Sequence, residues 1–89
     1  MRYMVVETFT HGAAPVYRRF AHQGRMLPKG LVFVESWIDA SLGRCWQVME
    51  TDDPTLLEQW TACWDDLVSF EIVPLVTSAE AAGQALAEK

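Results

Sequence analysis

Apolar and polar positions alternate with period two over Arg2–Phe9 (RYMVVETF), setting Tyr3, Val5, Glu7 and Phe9 against Met4, Val6 and Thr8. That pattern predicts a strand. His11-Gly12 breaks it, and Pro15 takes an early helical position. Val16, Tyr17, Phe20 and Ala21 then recur at helical spacing until Gly24 closes the helix. Arg25–Gly30 reads as a loop, and Leu31–Ala40 (LVFVESWIDA) as a second strand. Ser41-Leu42-Gly43 is a hairpin-like turn into a third strand over Arg44–Thr51. Asp52-Asp53-Pro54 ends that strand and opens a helix, with Asp53 placed to accept from first-turn amides and Pro54 suited to a position that needs no amide donor. Leu56, Leu57, Trp60, Cys63, Trp64 and Leu67 make its apolar stripe, and Asp65-Asp66 is expected to end it. Val68–Val76 alternates again, with Pro74 marking an edge or a strand end. Ser78 opens an alanine-rich helix to about Ala87.

The order β-α-β-β-α-β plus a tail helix predicts an α+β, ferredoxin-like domain over residues 1–77 with a helical tail over 78–89. Right-handed crossovers put two helices on one face of a four-stranded antiparallel sheet. The parity set Met4, Val6, Val32, Val34, Ile38, Trp46, Val48, Val68, Phe70 and Ile72 is wholly apolar and is the expected helix-facing core. The opposite set is also largely apolar, with Tyr3, Val5, Phe9, Phe33, Trp37 and Met49 interrupted by Glu7, Glu35, Gln47, Ser69 and Glu71. A second apolar face of that extent predicts a homodimer, sheet against sheet, with a barrel-like interior.

Composition narrows the functional classes. The 89 residues suffice for one modest core, and a hydrophobic share of 51% excludes disorder. The net charge of −5 disfavours a nucleic-acid partner, and Arg18, Arg19 and Arg25 read as a solvated helix face rather than a phosphate site. Neither a signal peptide nor a membrane span is expected, which suits a cytoplasmic protein. Cys45 and Cys63 read as reduced thiols.

With its elements placed, the chain resembles a family known as domain-of-unknown-function family 3303 from about Met1 to Ala82. The likeness rests on ETDDP at Glu50–Pro54, WDDLVSFEIVPLV at Trp64–Val76 and the tail Glu80-Ala81-Ala82. It implies a ferredoxin-like fold of the dimeric α/β-barrel superfamily and no assigned activity. Related barrel families include monooxygenases, isomerases and haem-handling proteins, so fold analogy leaves function open.

Candidate chemistry is sparse. Glu7, Glu35 and Glu71 share the expected dimer face and are candidate acid–base groups if desolvated there, with His11 at the end of the first strand as a fourth. Against this, buried unpaired carboxylates are costly, which favours reading the acids as wet structural groups near strand ends or at the dimer rim, and His11 as a polar loop residue. Tyr3, Phe9, Phe33, Trp37, Gln47 and Ser69 are the candidate ligand contacts on that face. No metal spacing and no cofactor motif is found; Asp52, Asp53, Asp65 and Asp66 read as caps and turns. Three readings follow: a homodimer enclosing a small apolar or aromatic metabolite between its sheets, a cofactor-independent isomerase or monooxygenase-like enzyme, and a purely structural dimerisation module.

Overall fold

The computed structural model describes residues 1–87, so the last two positions of the tail assigned to 78–89 lie outside the described residues. The elements are β1 (Arg2–Phe9), α1 (Ala13–Gln23), β2 (Val32–Ile38), β3 (Arg44–Glu50), α2 (Thr55–Ala62), β4 (Val68–Leu75) and α3 (Ser78–Ala87). The sheet runs β2-β3-β1-β4, every pair antiparallel, which is the ferredoxin-like arrangement. Pro74 sits on the edge strand β4, where a missing ladder donor costs least. No helix among the described residues is long and apolar enough to cross a membrane.

Local chemistry sets the element ends. Gly24 adopts φ 66 and its amide donates to the Phe20 carbonyl at 2.8 Å, closing α1 in the left-handed conformation that glycine adopts without strain. Asp53 Oδ1 accepts from the Thr55 amide at 3.0 Å, but α2 starts at Thr55 with Pro54, not Asp53, in its cap position, so the expected cap stands one residue further out than the sequence pattern places it. The helix ends at Ala62, earlier than Asp65-Asp66. Beyond it the chain tightens into short turns, with the amides of Cys63 and Trp64 donating to Trp60 O and Thr61 O at 3.0 and 2.9 Å.

The expected faces of the sheet are reversed for β1 and β3. Tyr3, Val5, Glu7 and Phe9 of β1 and Gln47 and Met49 of β3 are buried with Leu57, Trp60 and Trp64 of the α2 region. Val5 and Met49 are fully enclosed. Pairing explains the reversal. Residues directly opposite in a ladder point to the same face, and β1 pairs Phe9 with Val68, Glu7 with Phe70 and Val5 with Ile72. The inward set of β4 therefore carries Glu7 and Val5 inward with it. In β2 the register shifts between Phe33 and Glu35, so Leu31 and Phe33 before the bulge and Ser36 and Ile38 after it share the core side. Met4, Val6, Val32, Trp37, Trp46, Val48 and Val73 are left on the open face, and Val34, at the bulge, is exposed as well, so Val32 and Val34 are not the core positions the parity pattern predicts.

A cavity between the sheet and the first helix

A cavity of ≈160 Å³ opens between β1, β3 and α1, lined among others by Glu7, Tyr17, Arg25, Cys45, Gln47 and Trp64. Strand alternation aims Glu7, Phe9, Cys45 and Gln47 into it, while the helical spacing of Val16, Tyr17 and Phe20 supplies the roof. Phe9 and Tyr17 meet edge to face with centroids 6.4 Å apart. Tyr17 and Phe20 are 48% and 40% exposed, which makes that side the mouth.

A chain of polar contacts crosses the floor. Gln47 Nε2 donates to Glu7 Oε2, and Gln47 Oε1 accepts from Arg25 Nε at 3.1 Å. The amide of Gln47 is thereby oriented from both ends, since only its oxygen can accept from arginine. Arg25 is held in turn by α2 and the turn that follows it. Its backbone carbonyl accepts from the indole Nε1 of Trp60 at 2.9 Å and of Trp64 at 3.2 Å. Its guanidinium stands 3.7 Å from the Phe33 ring centroid and 5.2 Å from that of Phe20.

Burial dominates the titration of this cluster. Glu7 is raised from 4.5 to about 7, chiefly by desolvation, with the Gln47 hydrogen bond and the Arg25 charge pulling the other way. Cys45 is pushed up to about 12 by desolvation and by Glu7 beside it, so it is a neutral thiol and a poor nucleophile at physiological pH. Desolvation also raises the Tyr17 phenol and lowers Arg25. The cavity therefore holds a guanidinium, a carboxyl balanced between its two states near neutrality, and two neutral donors, the Cys45 thiol and the Tyr17 phenol of the roof.

Of the positions singled out in the sequence, Glu7, Phe9 and Gln47 line this cavity. Tyr3 is buried in the same layer, and Phe33 supports Arg25 from below. The other positions are elsewhere. Glu35, Glu71, Trp37 and Ser69 belong to the open face, and His11 is exposed after β1. The three glutamates thus do not form one cluster, because the register turns Glu7 inward and the bulge in β2 keeps Glu35 outward. The sequence pattern groups Arg25 with Arg18 and Arg19 on a solvated helix face; in the structure it follows the Gly24 reversal, and Met26 at φ 59 turns the chain back over the sheet. Trp60 and Trp64, members of the predicted apolar stripe, are both core and cavity wall.

A broader depression of ≈690 Å³ lies beside the start of α3, lined by Met1, Arg2, Val48, Leu75, Val76 and others. No buried polar group faces it, and Arg2 is already paired with Glu50 at 2.9 Å. Among the described residues no group of three or more acidic, histidine or cysteine side chains could hold a metal ion.

A family model described as Domain of unknown function (DUF3303) matches residues 1–89. The chain belongs to this DUF3303 family. The match runs through the alanine-rich tail and includes all the residues that line the cavity of this DUF3303 chain. No curated protein and no solved structure matches the chain.

Proposed function

We propose that this protein is a homodimer of the dimeric α/β-barrel type, each protomer of which binds a small apolar or aromatic metabolite. The site is the cavity between the sheet and α1 rather than the space between two sheets. One observation carries this reading: a buried carboxyl, Glu7, is aimed into an aromatic-walled cavity with no ion pair to neutralise it among the described residues. A structural core gains nothing from such a group, and buried acids of perturbed pKa concentrate at functional sites. The size supports a ligand of one ring, since a cavity of roughly 150 Å³ accommodates benzene. Trp60 and Trp64 line the cavity and report occupancy by fluorescence. A screen of single-ring and fused-ring compounds should give saturable fluorescence changes for the former and none for the latter. Failure of every single-ring compound, together with a protein that carries no bound molecule in native mass spectrometry, refutes the site.

The homodimer rests on the open face. Val32 and Trp37 are 54% and 56% exposed there, and Trp37 pairs across the ladder with Trp46. Apolar area of this kind on a sheet face marks an interface. Sedimentation equilibrium should give a dimer that Trp37→Glu converts to a folded monomer. A wild-type monomer throughout the accessible concentration range removes this part of the proposal.

The second reading, a cofactor-independent enzyme, is favoured by Glu7 alone, because a carboxyl titrating near 7 suits general acid–base catalysis. If a bound compound is turned over, Glu7→Gln should abolish turnover and leave binding in place.

A further inference from the structure

We propose that the ligand of this cavity is an anion: a single-ring aromatic acid, or one of similar size, whose carboxylate or enolate oxygen docks on the free edge of the Arg25 guanidinium. The inference rests on the reading that the cavity binds a small molecule, and it adds the charge that molecule carries.

Arg25 differs from the other arginines that have partners. Arg2 meets Glu50 at 2.9 Å, and Arg19 grips Asp66 through both guanidinium ends at 2.7 Å, each in a solvent-accessible pair. Arg25 is half-buried, yet among the described residues no carboxylate forms an ion pair with it. Its Nε is used by Gln47, and its two terminal nitrogens donate to no protein acceptor among the described residues. The rings of Phe20 and Phe33 pack against the guanidinium, so its remaining hydrogen-bonding capacity is directed along its edge. Gln47 stands between Arg25 and Glu7, which keeps the nearest acid from satisfying the cation directly. A planar fork with unused donors in a partly desolvated site is the arrangement that recognises a carboxylate. The aromatic walls then cover the apolar body of the same molecule.

Glu7 adds a coupling. A protonated Glu7 can donate to the bound oxyanion, whereas an ionised one repels it. The groups that face Glu7 are Arg25 from the loop, Tyr17 from α1 and Cys45 from β3, with the uncharged Gln47, Phe70, Ser36, Trp60 and Trp64 completing its surroundings. Tyr17 and Cys45 are both raised and remain neutral near neutrality, and Arg25 stays charged. Only Glu7 changes state among these groups between about pH 6 and pH 8, so binding of an anion takes up a proton.

The test compares benzoate with its neutral isostere benzamide by Trp fluorescence titration at about pH 6 and pH 8. For a carboxyl titrating near 7, benzoate should bind ~tenfold more weakly at the higher pH, while benzamide should be insensitive. At about pH 6 benzoate should bind the wild-type protein at least ~tenfold more tightly than benzamide, and Arg25→Met should remove that difference. Arg25→Lys keeps the charge and should keep part of the preference, which preserves the test if the methionine variant does not fold. Equal binding of the two probes by wild type, or an unchanged preference in Arg25→Met, overturns the anion and leaves the cavity as a neutral site. Binding of neither probe by wild type overturns the anion if other single-ring compounds bind, and overturns the cavity reading with it if none does and native mass spectrometry finds no bound molecule.

Discussion

Replacing Glu7 by glutamine should change how stability depends on pH in a direction opposite to ordinary acid denaturation. Glu7 rises from 4.5 to about 7 on folding because burial penalises its charged form. Between these values the folded state holds the proton and the unfolded state has released it. Stability therefore falls as pH rises through this window, and it is greatest below the unfolded value, where the carboxyl is neutral in both states. An interval of ~2.5 pH units at about 1.4 kcal/mol each amounts to ~3 kcal/mol. That is a large fraction of the roughly 5–15 kcal/mol that holds a domain folded. Glutamine keeps the size and the capacity to meet Gln47 without an ionisation to penalise. The assay is urea unfolding of both proteins at intervals from about pH 4.5 to pH 8, taking wild type minus variant so that all other titrations cancel. The difference should decline by ~3 kcal/mol over this range, with the variant the more stable protein at the alkaline end. A difference that stays flat means that Glu7 is hydrated in the folded state, and the cavity floor described above is wrong.

Two further outcomes follow from the same geometry. Val5→Glu should abolish folding, because it places an unpaired charge at a fully enclosed position, whereas Val6→Glu should leave a folded chain by circular dichroism; the reverse result would restore the opposite assignment of the sheet faces. At about pH 8 iodoacetamide should modify the exposed Cys63 first and leave Cys45, pushed up to about 12, unreactive until the protein unfolds, as peptide mapping would reveal; rapid modification of Cys45 would refute its burial beside Glu7.

The element order and most boundaries were legible because each depends on local chemistry: Gly24 after α1, Asp53-Pro54 before α2, Pro74 near the end of β4. The faces were not legible from apolar content, since both parities of β1 and β3 are rich in it. What decides them is register, a non-local property in which a slip of one residue exchanges the faces. A usable signal was nevertheless present. Arg2 and Thr8 share the parity of Met4, and Arg44 and Glu50 share that of Val48, so inward placement of that set would have buried strand-end charges. In the structure Arg2 and Glu50 pair on the open side at 2.9 Å. The bulge in β2 and the docking of Arg25 under two indoles have no comparable local signature. Both arise from contacts between segments far apart in the chain.

The buried acid and the exposed apolar face are consequences of one choice. Because side chains alternate with period two, the register that turns Tyr3, Val5 and Phe9 into the core necessarily takes Glu7 with them and turns Met4 and Val6 out. The aromatic bulk of Tyr3 and Phe9, set against Arg2 and Thr8, holds this register in spite of the ~3 kcal/mol that Glu7 loses at neutral pH. An alanine or valine at position 7 would preserve the same register without the penalty. The fold therefore does not require the carboxyl, and neither does it require the Arg25–Gln47 bridge that orients it. What these three groups add is a polar floor beneath an aromatic cavity, and that floor is useful only to something that enters it. The open face has the converse logic: its polar groups, Glu35, Ser69 and Glu71, are solvent-exposed, and its Trp37–Trp46 pair gains only when a second surface removes it from water. On the proposed reading, ligand binding inside each protomer and association between protomers would use opposite faces of the same strands, and a substitution that slips β1 by one residue should abolish both together.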